Sequence, residues 1–130
     1  MAKKNTYVRR VTDLLVYQMA RKHAMEIFRF SKQFPVEERW SLTNQIRKSS
    51  RSVNANLSEA WAKRIYKAAL VSKLNDAEGE ARETQTWLEY SVLCEYLDRD
   101  SGATLYRVYD EIISILISMQ RHPEKWLLKI

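Results

Sequence analysis

The side chains best suited to chemistry are few in this chain. Cys94 is the only cysteine, and His23 and His122 are the only histidines. That set falls short of a structural zinc site, which takes four Cys or His ligands. A di-iron bundle uses Glu-x-x-His on two of its helices. Here the residues three before the histidines are Ala20 and Met119, so the motif is missing and no cofactor is expected. There is no Gly-rich phosphate loop and no Gly-x-Ser-x-Gly elbow, hence no legible nucleophile, base or metal set. Arg47, Gln45 and Glu83 could together act on an anionic substrate inside a bundle, but no base accompanies them. The chain reads as a non-enzyme. Cys94 lies in an apolar helical stretch and reads as a small buried hydrophobe.

The cations are more informative. Arg47, Lys48 and Arg51 fall on one predicted helix, with Arg47 and Arg51 one turn apart and Asn54 and Ser58 extending the face. Lys63 and Arg64 follow just beyond it. Arg9 and Arg10, with Lys3 and Lys4, form a basic arm near the start. Guanidinium groups grip phosphate oxygens bidentately, and each phosphate contact releases counterions. These residues are therefore candidates for binding RNA or DNA. The bland alternative is a solvated face, or pairing with the acidic third helix through Asp76, Glu78, Glu80 and Glu83. Trp40, Trp61 and Trp87 are expected in the core or an interface rather than as stacking platforms for bases. A polar set, Gln45, Asn56, Glu59 and Glu83 with Arg47, is expected to fix helix register or join subunits rather than hold a ligand.

Charge is unevenly spread. Residues 1–73 carry 16 Lys and Arg against 5 Asp and Glu, a net +11; residues 74–130 carry 6 against 11, a net −5. Such polarity suits a polyanion partner, or acidic and basic halves that face each other. One cysteine rules out an internal disulfide framework and fits a reducing compartment. No apolar run approaches the roughly 20 residues of a membrane span. The start, Met1 to Asn5, leads into no signal-like apolar region. A cytoplasmic location is expected, away from membranes.

These residues must be positioned by helices. Only two glycines and two prolines occur, too few for the turns of a β-rich domain. Apolar residues recur at steps of three and four. The first helix is expected over about 12–32, capped by Thr12 or Asp13, with Leu14, Tyr17, Ala24 and Phe28 flanked by Leu15, Met25 and Ile27 on its inner face. Pro35 ends it and opens the second, over about 36–62, with the seam Leu42, Ile46, Ser49, Val53, Leu57 and Ala60. Ser49 and Ser50 would need hydrogen-bond partners if buried. No Gly or Pro marks the next break; a turn is placed around residues 63–66 because a helix of about 60 residues would reach about 90 Å. The third helix, about 67–97, carries Leu70, Leu74, Ala77, Ala81, Thr84, Leu88 and Ser91. Gly79 in its middle is expected to be compensated by close packing. Asp100 or Ser101 would cap the fourth helix, about 103–121, lined by Leu105, Tyr109, Ile112, Leu116 and Met119. Its wide apolar face suits a central helix or a subunit contact. The apolar tail, Trp126 to Ile130, is expected to dock. The whole is a single all-α domain of 130 residues, an antiparallel up-down-up-down four-helix bundle.

One stretch carries a resemblance. Phe34-Pro35, Glu38, Leu42, Gln45-Ile46-Arg47, Ser49, Val53 and Asn56-Leu57-Ser58-Glu59 resemble a bacterial four-helix bundle family. That family includes proteins encoded in intervening sequences of large-subunit ribosomal RNA genes and the accessory variability determinant of diversity-generating retroelements. Ala77, Gly79, Glu83, Thr86 and Leu88 fit its third helix. The chain departs from the family at Ala60, usually Gly, at Ser49, usually Ala, and at Glu80, usually Ser. The resemblance implies a four-helix bundle, a homo-oligomer that is pentameric in known members, and, from the retroelement member, nucleic-acid binding beside a reverse transcriptase. The combined expectation is a non-enzymatic homo-oligomeric bundle that binds RNA or DNA through the basic face of helices one and two. The alternative is a protein–protein scaffold without nucleic-acid affinity.

Overall fold

Apolar spacing resolves into four helices joined by short turns. The computed structural model describes residues 8–129. Within them run α1 (Leu15–Ser31), α2 (Leu42–Ala62), α3 (Lys67–Leu93) and α4 (Arg99–Arg121), with single 3-10 turns at Val11–Asp13, Val36–Glu38 and Pro123–Lys125. Lys3 and Lys4 of the basic arm, and Ile130 of the tail, lie outside the described residues.

Each helix packs on its neighbour in sequence, and α1 closes the ring against α4. Side-chain bonds across the seams give the direction. Arg47 meets Ser31 while Asn54 meets Tyr17, so α1 and α2 run antiparallel. Ser49 pairs with Thr84 and Glu59 with Lys73, so α2 and α3 do too. Gln85 reaches Asp110 and Asn75 reaches Gln120, which sets α4 antiparallel to α3. The protein is an all-α four-helix bundle.

The inner faces of α2, α3 and α4 are the stripes expected from spacing. Leu42, Ile46, Ser49, Val53, Leu57 and Ala60 are all buried, as are Leu70, Leu74, Ala77, Ala81, Thr84, Leu88 and Ser91, and Leu105, Tyr109, Ile112, Leu116 and Met119. Apolar area removed from water at about 25 cal/mol per Å² is the main force holding these seams. On α1 the stripe is rotated. Val16, Ala20, Ala24, Ile27 and Ser31 face inward, Tyr17 and Phe28 sit half-buried at the edge, and Leu15 is 66% exposed. Small residues at 20 and 24 let the neighbouring helices approach, and this outweighs the larger apolar area of Leu15 and Met25.

Several boundaries differ from the sequence expectation. The α-helix of α1 begins at Leu15, because the backbone at Leu14 is extended; Asp13 instead accepts from the amides of Arg10 at 3.0 Å and Arg9 at 3.4 Å. α2 begins at Leu42, after a 3-10 turn, where Glu38 accepts from the Leu42 amide at 3.2 Å and the Ser41 hydroxyl at 2.6 Å. It then continues through Ala60, which is buried, to Ala62. α3 stops at Leu93, short of 97. Glu95 adopts a left-handed backbone (φ 66°), and the amides of Tyr96 and Leu97 turn back to the Ser91 carbonyl, a Schellman-type end. α4 starts at Arg99, and Asp98, not Asp100 or Ser101, caps it by accepting from the Ser101 amide at 2.9 Å. Gly79 is exposed, and a Cβ there would meet nothing within 4 Å, so close packing does not account for it. Cys94, expected buried, is exposed because it caps the outer end of α3.

The tail docks as its composition implies. Trp126 packs 6.1 Å from Trp61, the Leu128 amide donates to the Arg64 carbonyl, and Glu124 pairs with Lys67 at 2.9 Å. It covers the turn between α2 and α3.

Candidate nucleic-acid interface

The seam between α1 and α2 gathers cations around one ring. Lys32 Nζ lies 4.8 Å from the centre of Phe28, the Arg47 guanidinium 4.9 Å and the Arg51 guanidinium 5.4 Å. Lys32, which follows the last residue of α1, is four positions from Phe28, and Arg47 and Arg51 are one turn apart on α2, so cations from both sides of the seam converge on the ring. The quadrupole of the ring attracts each cation. A ring has only two faces, so three charges cannot all be kept apart by it. None of the three has a carboxylate partner among the described residues. The site therefore holds concentrated positive charge that an anion would relieve.

Arg47 is oriented by its surroundings. Its Nε donates to Ser31 Oγ at 2.7 Å, and that hydroxyl donates to the Phe28 carbonyl at 3.0 Å. One guanidinium donor is used and the fork is fixed on Phe28, which leaves other donors for a ligand. Outside this centre the same face opens as a groove of about 510 Å³ lined by Arg39, Trp40, Asn44, Arg47, Lys48 and Arg51.

The seven cations named from sequence fall into two groups. Arg47, Lys48 and Arg51 share this groove. Arg9, Arg10, Lys63 and Arg64 lie toward the other end of the bundle, since twelve residues of helix from Arg51 to Lys63 rise about 18 Å. There Arg64 stacks 3.7 Å over Trp61 and donates to the Trp61 carbonyl at 2.8 Å, while the Trp61 indole donates to the Arg9 carbonyl at 3.1 Å. Arg64 thus serves packing of the α2 end. Lys63, Arg9 and Arg10 are exposed.

The acidic third helix is occupied elsewhere. Asp76 lies 3.5 Å from Lys73, and Glu78 pairs with Arg82 at 2.9 Å and accepts from Gln120 at 2.8 Å. Burial, then repulsion from Glu83, pushes the Glu80 carboxyl above its ordinary range, and nearby Lys48 partly offsets this. Lys48 of the groove thus stands close enough to α3 to act on Glu80.

The polar set does not form one network. Glu59 joins α2 to α3 through Lys73 at 2.6 Å; this bond lowers the carboxyl and raises the amine from their ordinary values. Asn56 donates to the Ser52 carbonyl and Glu83 accepts from the Trp87 indole, both within one helix. Gln45 lines a shallow apolar groove with Trp40, Trp87 and Tyr90. The links that hold register are others: Ser49 with Thr84, Gln85 with Asp110 and the Tyr106 carbonyl, and Asn54 with the Tyr17 carbonyl. Buried Ser49 needed a partner, and Thr84 in the facing seam was the sequence signal for it.

His23 bonds Glu26 at 3.0 Å within α1. Among the described residues no three His, Cys, Asp or Glu stand together to hold a metal ion, and no helix is long and apolar enough to cross a membrane.

Comparison with known proteins decides the family. The sequence pattern of the 23S rRNA-intervening sequence protein family matches residues 12–118. The chain belongs to that family. The match runs from the first 3-10 turn into the last turn of α4, so α1, α2, α3 and all but the last three residues of α4 of this intervening-sequence family member fall within it. A similar solved structure is a protein of unknown function from the S23 ribosomal protein family of Bacteroides thetaiotaomicron. It is 30% identical, with a TM-score of 0.74, over 82% of this chain and 96% of that one. Curated proteins give no match. The motif residues that carry the family resemblance now have physical roles: Ile46 and Leu57 fill the core, Glu38 caps α2, Glu59 ties α2 to α3, and Arg47 stands over Phe28.

Proposed function

We propose that this intervening-sequence family protein is a non-enzymatic, homo-oligomeric bundle that binds RNA or DNA through the basic face of α2 and its seam with α1. The carrying observation is the cluster of Lys32, Arg47 and Arg51 on Phe28 with no carboxylate partner among the described residues. Phosphate contacts there are backbone contacts, so binding carries little sequence preference. The family resemblance supports an oligomer, pentameric in known members, and an accessory role beside a nucleic-acid enzyme such as a reverse transcriptase. Arg9, Arg10 and Lys63 supply a second, weaker contact zone.

The test is charge reversal in each zone. The pair Arg47→Glu and Arg51→Glu should weaken binding of labelled RNA and DNA by an order of magnitude or more, while circular dichroism shows the bundle intact. The pair Arg10→Glu and Lys63→Glu should have a smaller effect. Unchanged affinity in the first pair removes the groove from the interface.

A second reading is a protein–protein scaffold. It is favoured by the apolar groove between α3 and α4, where Leu93 is 68% exposed beside Val92, Ala103 and Tyr106. It calls for tight assembly and no nucleic-acid affinity at physiological salt.

A further inference from the structure

Trp40 is 81% exposed, the most exposed large apolar side chain among the described residues. An indole is a large apolar body that normally finds cover in a core or interface. This one stacks on no other aromatic ring among the described residues. Its one charged neighbour over the ring is Arg39, at 6.0 Å. It stands at the entrance of the groove that continues through Asn44 to Arg47, Lys48 and Arg51. Trp40 sits in the turn just before α2, and along α2 Asn44, Arg47 or Lys48, and Arg51 follow at steps of three or four, so the groove offers polar or cationic groups about every helical turn, roughly 5 Å apart. At one end it has an exposed aromatic ring with Arg39 beside it, and beyond that a line of phosphate-binding donors.

That combination selects among nucleic acids. Every base has a π-face, and stacking on an aromatic side chain is tolerant of sequence. In a duplex those faces are already covered by neighbouring base pairs, and splaying one out costs a few kcal/mol. A single strand presents its bases freely, with the phosphates on the same short segment. Asn44, exposed between the two features, carries both a donor and an acceptor for a base edge or a ribose.

We propose that Trp40 is a stacking platform for an unpaired base, and that the Trp40–Asn44–Arg47–Arg51 groove takes a single-stranded segment of RNA or DNA. This rests on the nucleic-acid reading above and narrows it to strands with accessible bases.

The full chain is titrated with fluorescein-labelled oligo-U, oligo-dT and a duplex of equal length, alongside Trp40→Ala and Trp40→Phe. Assembly mass is measured by sedimentation. Single strands should bind more tightly than the duplex. Trp40→Ala should weaken single-strand binding by about fivefold or more, at unchanged mass and unchanged salt slope, because no phosphate contact is lost. Trp40→Phe should retain most of the affinity. The oligo-U and oligo-dT arms separate an RNA from a DNA ligand, and Trp40 dependence in either supports the platform. Salt-sensitive binding that ignores Trp40, or that favours the duplex, overturns the platform while leaving the basic groove standing. A change of assembly mass in Trp40→Ala overturns it too, by assigning the indole to a subunit contact. If the unaltered chain binds none of the three, both readings fall together.

Discussion

The hydroxyls of Ser49 and Thr84 meet at 2.9 Å inside the seam between α2 and α3, both side chains being buried. Thr84 also bonds the Glu80 carbonyl at 2.9 Å, and Ser49 the Ile46 carbonyl at a longer 3.4 Å. Thr84→Val should therefore cost about 1–3 kcal/mol, since it leaves Ser49 with only a long bond. The double variant Ser49→Ala with Thr84→Val should lose less than the two single losses combined. Urea denaturation of the four proteins in the cycle measures the coupling. Strict additivity would mean that each hydroxyl is satisfied by its own helix.

The two glycines should respond in opposite directions. Gly79 is exposed in the middle of α3 with open space around it, so Gly79→Ala should stabilise by about 0.5–1 kcal/mol. At Gly102, in the first turn of α4, a Cβ would run into the Val92 side chain. Valine is stiff at χ1 and cannot swing aside. Gly102→Ala should destabilise by about 1–3 kcal/mol, and Val92→Ala should recover part of the loss. Thermal melts of the three variants are sufficient.

Glu38 ties the start of α2 to the turn after α3. It accepts from Ser41 and the Leu42 amide, and from the Tyr96 hydroxyl at 2.9 Å. These bonds, Ser41 first, hold its carboxyl below the ordinary value of 4.5. A lowered folded value means that the stabilisation is fully present above the ordinary carboxylate range and is lost as pH falls through the lowered value. Tyr96, donating to Glu38, is pushed up to about 12. Its contribution is present below the ordinary value of 10 and is lost as pH rises through about 12. Glu38→Gln should lower Tm at pH 7, and the gap from the unaltered protein should close as pH drops below 4.5. A gap that stays constant down to pH 3, on the order of one unit below that range, would show that the carboxylate charge contributes nothing.

Glu95 occupies a left-handed backbone position at the end of α3. A side chain there costs on the order of 1 kcal/mol against glycine. Glu95→Gly should raise stability by up to about that amount, read as a higher denaturation midpoint at constant slope.

The same position explains a limit of sequence reading. A helix end is legible when Gly or Pro marks it, and α3 ends on Glu95 instead, so spacing alone carried the expected helix on to residue 97. The seams of α2, α3 and α4 were legible because each is a continuous row of apolar and small residues at steps of three and four. α1 was legible only in part: Leu14, Ala24 and Ile27 are buried as expected, but Leu15 and Met25 are large and apolar yet lie outside, while the small Ala20 carries a contact. At the candidate site, charge type and helical spacing brought out Arg47, Lys48 and Arg51. Phe28 and Lys32 were invisible as site residues because they come from another helix, and only the α1–α2 crossing brings them to Arg47. Trp40 was assigned to a core or interface from its composition alone; its exposure is a property of the turn before α2. The polar set failed as a network because Gln45, Asn56, Glu59 and Glu83 point to different neighbours, a fact of helix rotation that residue type does not carry.

The most direct test of the groove as a phosphate site is the salt dependence of binding. Affinity for a single strand is measured between about 50 and 200 mM salt for the unaltered chain and for Arg47→Ala with Arg51→Ala. Each phosphate contact contributes about 0.7 to the slope of log affinity against log salt for single strands. The unaltered chain should show a clear negative slope, and the double variant a slope shallower by about 1.5 together with weaker binding. Equal slopes in the two proteins, or no binding at the lowest salt, would contradict the account and leave the basic groove to a protein partner.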